Sequence, residues 1–320
     1  MVIALPFGVE CRAAGASPRR QKREVAPVDP PDRGRRLSPL GSASTSPGRR
    51  RGLSTGRRCG VVVSAGGRQG RGMGQIIAVV PASGGVGATS LGAALAVRAC
   101  AAGRSAVAVD LDPWSGGLDV TFGLEQEPGW RWDQLREASG IVDGERLAAR
   151  LPSVLGVPVL AMPTPGGAVG TDAQLNPTAW VERVPDVLAG LADAHDVTVV
   201  DACRDERVLQ VVVVEADAVV VVVGTRTPEL AAAAAVLPAL QALGADPWVV
   251  LRGPGAGELE DIIIDELDVE VVGVLGEDGK LAGEVAEGVP PGHRGRGPVV
   301  ALADRLLLRL VTVAELGRTA

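Results

Sequence analysis

Tyrosine is absent, phenylalanine occurs twice, and aromatic residues make up only 2% of the 320 residues. A core of packed rings is thereby excluded. With hydrophobic residues at 46%, the interior must be built from Val, Leu, Ile and Ala. Histidine occurs only as His195 and His293, and the cysteines Cys11, Cys59, Cys100 and Cys203 are scattered, with no CxxC pair and no histidine nearby. A zinc site lacks ligands at the usual spacing, and a His-based triad has little to draw on. Lysine is reduced to Lys22 and Lys280 against thirty arginines, a bias that points to a GC-rich genome more than to chemistry. No apolar run approaches the roughly 18 uncharged residues that a membrane helix needs. The opening MVIALPFGVECRAAGA is apolar, but no basic region precedes it, so it makes a poor secretion signal. These absences lead to the expectation of a cytoplasmic protein with reduced thiols.

The net charge of −6 conceals a division. Residues 1–73 hold 15 basic and 4 acidic side chains, a balance of +11, whereas residues 74–320 hold 17 and 34, a balance of −17. Residues 1–73 are rich in Arg, Pro, Ser and Gly, show no period of 2 or 3.6, and carry too few apolar groups to offset the entropy of ordering. They are expected to form a disordered arm, or to reflect an over-long gene start, since Met73 stands just before the first strand. A basic arm of this kind could in principle touch nucleic acid or anionic lipid, and nucleic acid could be reached only through it. A solvated tail is the plainer reading.

From Gln75 onwards, compact Val-rich runs begin: QIIAVVP, SAVAVDLD, VPVLAMP, DVTVVDA, ADAVVVVVG, PWVVLRG and VEVVGVL. Helical stretches are expected from about Ala88 to Ala102, Asn176 to Ala194, Glu206 to Glu215, Pro228 to Leu243, Leu259 to Leu267 and Val299 to Leu316. Buried strands alternating with helices define an α/β fold, a doubly wound and mostly parallel sheet with helices on both faces, occupying residues 74–320. Ligands of such sheets bind beyond the carboxyl ends of the strands. The loops after Val80, Val109 and Val200 therefore carry the chemistry.

The first of these reads Pro81-Ala82-Ser83-Gly84-Gly85-Val86-Gly87-Ala88-Thr89-Ser90. A phosphate-binding loop needs glycines so that N–H groups can converge on phosphate oxygens, a helix N-terminus behind them, and a hydroxyl for Mg2+. Gly84, Gly85 and Gly87, the helix beginning near Ala88, and Thr89 meet these needs. Two other readings stand beside it. One is an ordinary glycine-rich turn. The other is a nicotinamide-dinucleotide turn followed by Asp110, as in zinc-independent quinone reductases, although Ser90 takes the third glycine position and only the arm precedes the loop. The second loop is VAVDLDPWSGGLDVTFGLE, and the third is HDVTVVDACRD, an apolar strand ending in Asp201.

Taken in order, Ser83-Gly84-Gly85-Val86-Gly87-Ala88-Thr89, then Asp110-Leu111-Asp112 with Gly117-Leu118-Asp119 and Gly123, then Asp201, resemble the motifs of the MinD/ParA family of P-loop ATPases over about three quarters of the chain. AVDLDPWSGGLDVTFGLE, PGWRWDQL, the ACR after Asp201 and WVVLRGP look most like the branch of septum site-determining proteins of high-GC bacteria, related to the CpaE-like proteins of pilus assembly. Members of that branch often carry a receiver-like domain ahead of the ATPase domain, for which residues 1–73 leave no room.

The resemblance implies ATP with Mg2+, and no other metal, held by Gly84, Gly85, Val86, Gly87, Ala88, Thr89 and Ser90. Thr89 and Asp110 would serve Mg2+, with Asp201 acting one layer behind the ion, and Asp112 would orient the attacking water. The plainer reading of Asp110 and Asp112 is a cap or a loop brace. The resemblance also implies a homodimer, protein partners in cell division or at the membrane, and a cytoplasmic or peripheral-membrane location. Two family lysines are replaced, by Ser83 and Ala88, so ATPase activity stays an open expectation, with weak binding and weak or absent hydrolysis. Arg204, just after the Asp201 strand, is the candidate replacement, against the plainer reading of a surface arginine. Arg252, beside the place where the family contacts adenine, reads better as a surface arginine. The final helix is expected to pack on the sheet rather than lie on a membrane. The alternatives are a CpaE-like pilus or secretion factor, a scaffold of the same fold that hydrolyses nothing, and the nicotinamide-dependent reductase.

Overall fold

The computed structural model describes residues 74–114, 117–135, 140–163 and 180–319. The arm over residues 1–73 lies outside them, as do residues 176–179, where the helix ending at Ala194 is expected to begin.

The Val-rich runs form strands β1 (Gln75–Pro81), β2 (Ala106–Leu111), β4 (Val157–Leu160), β5 (Val197–Ala202), β6 (Ala218–Gly224), β7 (Trp248–Arg252) and β8 (Glu270–Leu275), joined by a short β3 (Ser153–Val154). They lie in the order β3-β4-β2-β5-β1-β6-β7-β8. Every pairing is parallel except β3 with β4. From β1 the chain skips one position to β2, runs out to β3 and β4 at the edge, returns with β5 between β2 and β1, then crosses to build β6 to β8 on the other side. The carboxyl end of β1 is therefore the point where the winding reverses, and a crevice opens there.

Sheet pleating explains why both faces are apolar. In β1, Ile76, Ala78 and Val80 enter one core and Ile77 and Val79 the other. The first core lies under α4 (Val184–Ala194), α5 (Glu206–Glu215), α6 (Thr227–Ala242) and α7 (Ala256–Leu267). The second lies under α1 (Ala88–Ala101), α2 (Leu118–Phe122) and α9 (Pro298–Thr319). All seven residues of β6 are buried, so polar residues have no place on either face of this strand. Each fully buried Val contributes roughly 1.5–3 kcal/mol of transfer free energy, which fixes the central strands most firmly.

The last helix packs as expected: α9 buries Val299, Val300, Leu302, Ala303, Leu306 and Leu310, and its Asp304 pairs with Arg98 of α1 at 2.8 Å. Among the described residues, no helix is long and apolar enough to cross a membrane. Shorter elements complete the chain: a 3-10 turn at Trp132–Leu135, α3 (Gly144–Ala148) and α8 (Leu281–Ala286).

Candidate functional site

At the carboxyl end of β1 the chain turns through Ser83–Gly87 into α1. Gly85 (φ +77°) and Gly87 (φ +88°) take left-handed backbone angles that a Cβ would strain. A Cβ built on Gly84 or Gly85 would meet nothing within 4 Å, so the turn is open on that side. The next helix begins with Gly87 as N-cap, without a capping side chain and without an acidic residue in its first turn. In contrast, α5 is capped by Asp205, whose carboxylate accepts the Arg207 N–H at 2.9 Å. The positive end of α1 therefore faces the open turn with no side chain to cap its first N–H groups.

Beside the turn stand the carboxylates. Asp110 and Asp201 are register partners at the ends of the neighbouring strands β2 and β5, and both are buried. Register partners in adjacent parallel strands project from the same face, with strands roughly 4.7–4.9 Å apart. Asp110 accepts the N–H groups of Asp112 and Leu118, each at 2.8 Å, and so braces the loop after β2 with both oxygens. Burial pushes its carboxyl up to about 7; the two N–H bonds oppose this, and the charges of Asp112 and Asp119 add to it. Burial also raises Asp201 well above the ordinary carboxylate range. Asp110 and Asp112 reinforce that shift, and a hydrogen bond from the Thr89 hydroxyl opposes it. Two buried carboxylates with no basic group among these influences favour a cation or a proton between them.

The expected site residues thus fall in one place. Gly84 to Ser90 form the turn and the start of α1, the Thr89 hydroxyl meets Asp201, and Asp201 lies opposite Asp110. Asp112 is close enough to raise both buried acids, and its own Oδ1 accepts the Trp114 N–H at 3.0 Å. Ala88 is buried in the apolar cluster under α1, and the Ser83 hydroxyl is buried without a hydrogen-bond partner among the described residues. Among the described residues, no three His, Cys, Asp or Glu side chains gather as a complete protein-only metal site.

Two arginines approach the turn. Arg204 donates through Nη1 to the Ala82 carbonyl at 3.4 Å. Arg252, read from the sequence as a surface arginine, is partly buried. Its Nη2 pairs with Glu277 at 3.2 Å, and its Nη1 lies 3.3 Å from where a Gly87 Cβ would stand. With Gly85, Val86, Arg226, Glu229 and Glu277 it frames a cavity of about 50 Å3 beside the turn.

Sequence reasoning missed the work of Arg131 and Trp132, quoted above only as part of PGWRWDQL. The Trp132 indole is buried and donates to the Asp110 backbone carbonyl at 2.7 Å. Arg131 donates to the Leu124 carbonyl at 3.0 Å and lies 3.6 Å from the buried Asp119. The pair of aromatics in a chain so poor in rings was the one available signal.

A parallel sheet whose first strand feeds a glycine turn and an uncapped helix, with carboxylates ending the two strands beside it, has the architecture of a P-loop NTPase. More narrowly, the fold is that of the MinD and ParA ATPases. The structure matches a ParA family ATPase from Chlorobium tepidum with a TM-score of 0.61 at 17% identity, covering 73% of this chain and 98% of that one. It matches the septum site-determining protein MinD of Pyrococcus horikoshii, complexed with Mg-ADP, with a TM-score of 0.60 at 21% identity, covering 76% and 98%. It also matches the MinC:MinD cell division complex of Aquifex aeolicus, with a TM-score of 0.54 at 20% identity, covering 73% and 96%. Among curated sequences, uncharacterized proteins from two strains of Mycobacterium tuberculosis are 32% identical over 223 residues, 68% of this chain. The chain spans 59% of the length of those relatives. No family model matches it.

Proposed function

We propose that this chain is a MinD/ParA-type P-loop protein of the septum site-determining branch, in which ATP with Mg2+ controls association with itself and with division or membrane-associated partners. The observation that carries this reading is the open glycine turn over the uncapped N-terminus of α1, set against the Thr89, Asp201 and Asp110 cluster. Such a turn suits phosphate oxygens, and the buried carboxylates suit a divalent cation whose remaining ligands come from phosphate and water.

Main-chain N–H groups from Gly84 to Ser90 would hold the phosphates, and the Thr89 oxygen would serve the ion while its O–H stays on Asp201. Asp201 keeps that hydroxyl oriented, Asp110 holds the loop carrying Asp112, and Asp112 positions the attacking water. Bound Mg2+ supplies positive charge to the phosphate oxygens. Where the family pattern has lysines, Ser83 and Ala88 supply none, so turnover is expected to be very slow or absent. Titration of the full chain with ATP and Mg2+ tests the reading, since saturable, Mg2+-dependent binding is expected and its absence overturns it.

The missing lysines favour a second reading, a scaffold of the same fold whose turn is a relic. NADPH binding in place of ATP would instead mark the reductase. In cells, raised expression is expected to lengthen them by blocking septation. Normal length with loss of surface pili would move the role to CpaE-like assembly.

A further inference from the structure

We propose that Arg204, from the loop after β5, is the cation that meets the phosphates of the bound nucleotide, taking over from outside the phosphate turn the charge that α1 lacks. The inference rests on the nucleotide-binding reading above. Its ground is the state of each cation near the turn. Arg252 is tied to Glu277 at 3.2 Å and Arg226 to Glu229 at 3.4 Å, so each already has a carboxylate partner. Arg204 has none. Among the described residues its only hydrogen bond is the 3.4 Å contact from Nη1 to the Ala82 carbonyl, at the mouth of the glycine turn. A guanidinium has five N–H donors, so four remain for an anion, and its planar fork suits two phosphate oxygens at once.

The backbone fixes where this side chain starts. Cys203 before it is buried, and Asp205 after it caps α5 through the Arg207 N–H. Three residues before Arg204, on the strand side, Asp201 bonds the Thr89 hydroxyl. One short segment thus carries a group facing the metal side of the site and a group facing the turn. The acids Asp110, Asp112 and Asp201 gather at this end of the sheet, and in their ionised form they would repel a polyphosphate unless cations offset them. An unpaired arginine at its edge offsets that repulsion, whereas Ala88, buried under α1, offers no charge.

The same contact has a plainer use, as a brace for the Ala82 carbonyl, and the test must separate the two. ATP binding with Mg2+ is measured on the full chain, together with thermal melting, for Arg204→Ala, Arg204→Gln, Ala88→Lys and Ala88→Lys with Arg204→Ala. Gln keeps a donor for the Ala82 carbonyl and removes the charge. Loss of a charge-assisted bond should weaken binding about ten- to a hundred-fold in both Arg204→Ala and Arg204→Gln, with melting unchanged. Ala88→Lys should then tighten binding at least about ten-fold more in the Arg204→Ala background than alone, because the two charges serve the same phosphates.

Binding by Arg204→Gln equal to the native chain, or equal tightening by Ala88→Lys in both backgrounds, overturns the proposal and leaves nucleotide binding standing. A native chain that never binds ATP overturns both. If Arg252→Ala, rather than Arg204→Ala, removes binding, the charge comes from the β7 side and the proposal is wrong.

Discussion

On the β1 side of the site, the groups that would meet an anion belong to the main chain: the turn at Gly84 and Gly85 and the uncapped start of α1. On the β2 and β5 side they are side chains, the buried carboxylates Asp110 and Asp201 with Asp112 beside them. The first half tolerates changes of side chain so long as glycine keeps its angles. It forms the glycine turn with Ser83 and Ala88 at the positions where the proposed family pattern has lysines. The second half depends on chemical identity and has kept it. On the proposed reading, catalytic charge and the binding cradle are separate features, and mutation should separate them.

The largest expected effect restores the missing charge. Ser83→Lys with Ala88→Lys should raise ATP turnover by about a hundred-fold or more, the scale of one to two charged groups acting on a transferring phosphoryl group. Adding Asp112→Ala should remove that gain while leaving ATP affinity nearly intact, as single-turnover and equilibrium measurements would show. If turnover survives Asp112→Ala, the carboxylate half does not position water.

Next comes the cradle. Gly87→Val forces a branched side chain into a left-handed backbone beside Arg252, a strain of roughly 1–3 kcal/mol. It should abolish ATP binding and lower the melting temperature by roughly 2–4 °C for each kcal/mol lost. A variant that melts lower but binds normally would show that the turn is only structural. Thr89→Ala should be milder. Removing the hydroxyl should weaken Mg2+-dependent binding about ten-fold and leave Mg2+-independent binding unchanged, read by titration with and without chelator. The smallest effect belongs to Arg252→Ala. Its ion pair with the exposed Glu277 is of the kind worth at most about 1 kcal/mol, so affinity should fall by no more than roughly five-fold.

The same contrast governs what could be read from the sequence. Strands such as β6 were legible because five consecutive valines leave little alternative, and α5 falls at Glu206–Glu215 as its apolar spacing predicts. The helix expected from Leu259 begins earlier, at Ala256, because Gly255 at φ +70° turns the chain directly into it. Short elements escaped: β3, α2, α3 and the turn at Trp132–Leu135 are too brief to show a period. The glycine turn was legible because its chemistry lies within a few consecutive residues. Pairing Asp110 with Asp201 required the order of strands, and the Arg252–Glu277 pair required β7 and β8 to lie side by side. Neither of these follows from local sequence. The bracing by Trp132 depends on a loop closing over β2 from 22 residues away, a distance at which no pattern rule operates.

That indole bond has an optical consequence. With no tyrosine in the chain, ultraviolet emission comes almost entirely from five tryptophans. Trp132 sits 5.7 Å from Trp180 and is hydrogen-bonded to the backbone of Asp110, so two of the emitters are coupled to each other and one is wired to the site. Trp114, two residues beyond Asp112, is largely open to solvent. A ligand that moves the loop after β2 would change the surroundings of both a buried and an exposed emitter. Tryptophan emission would then report occupancy of the proposed site, with no dye attached.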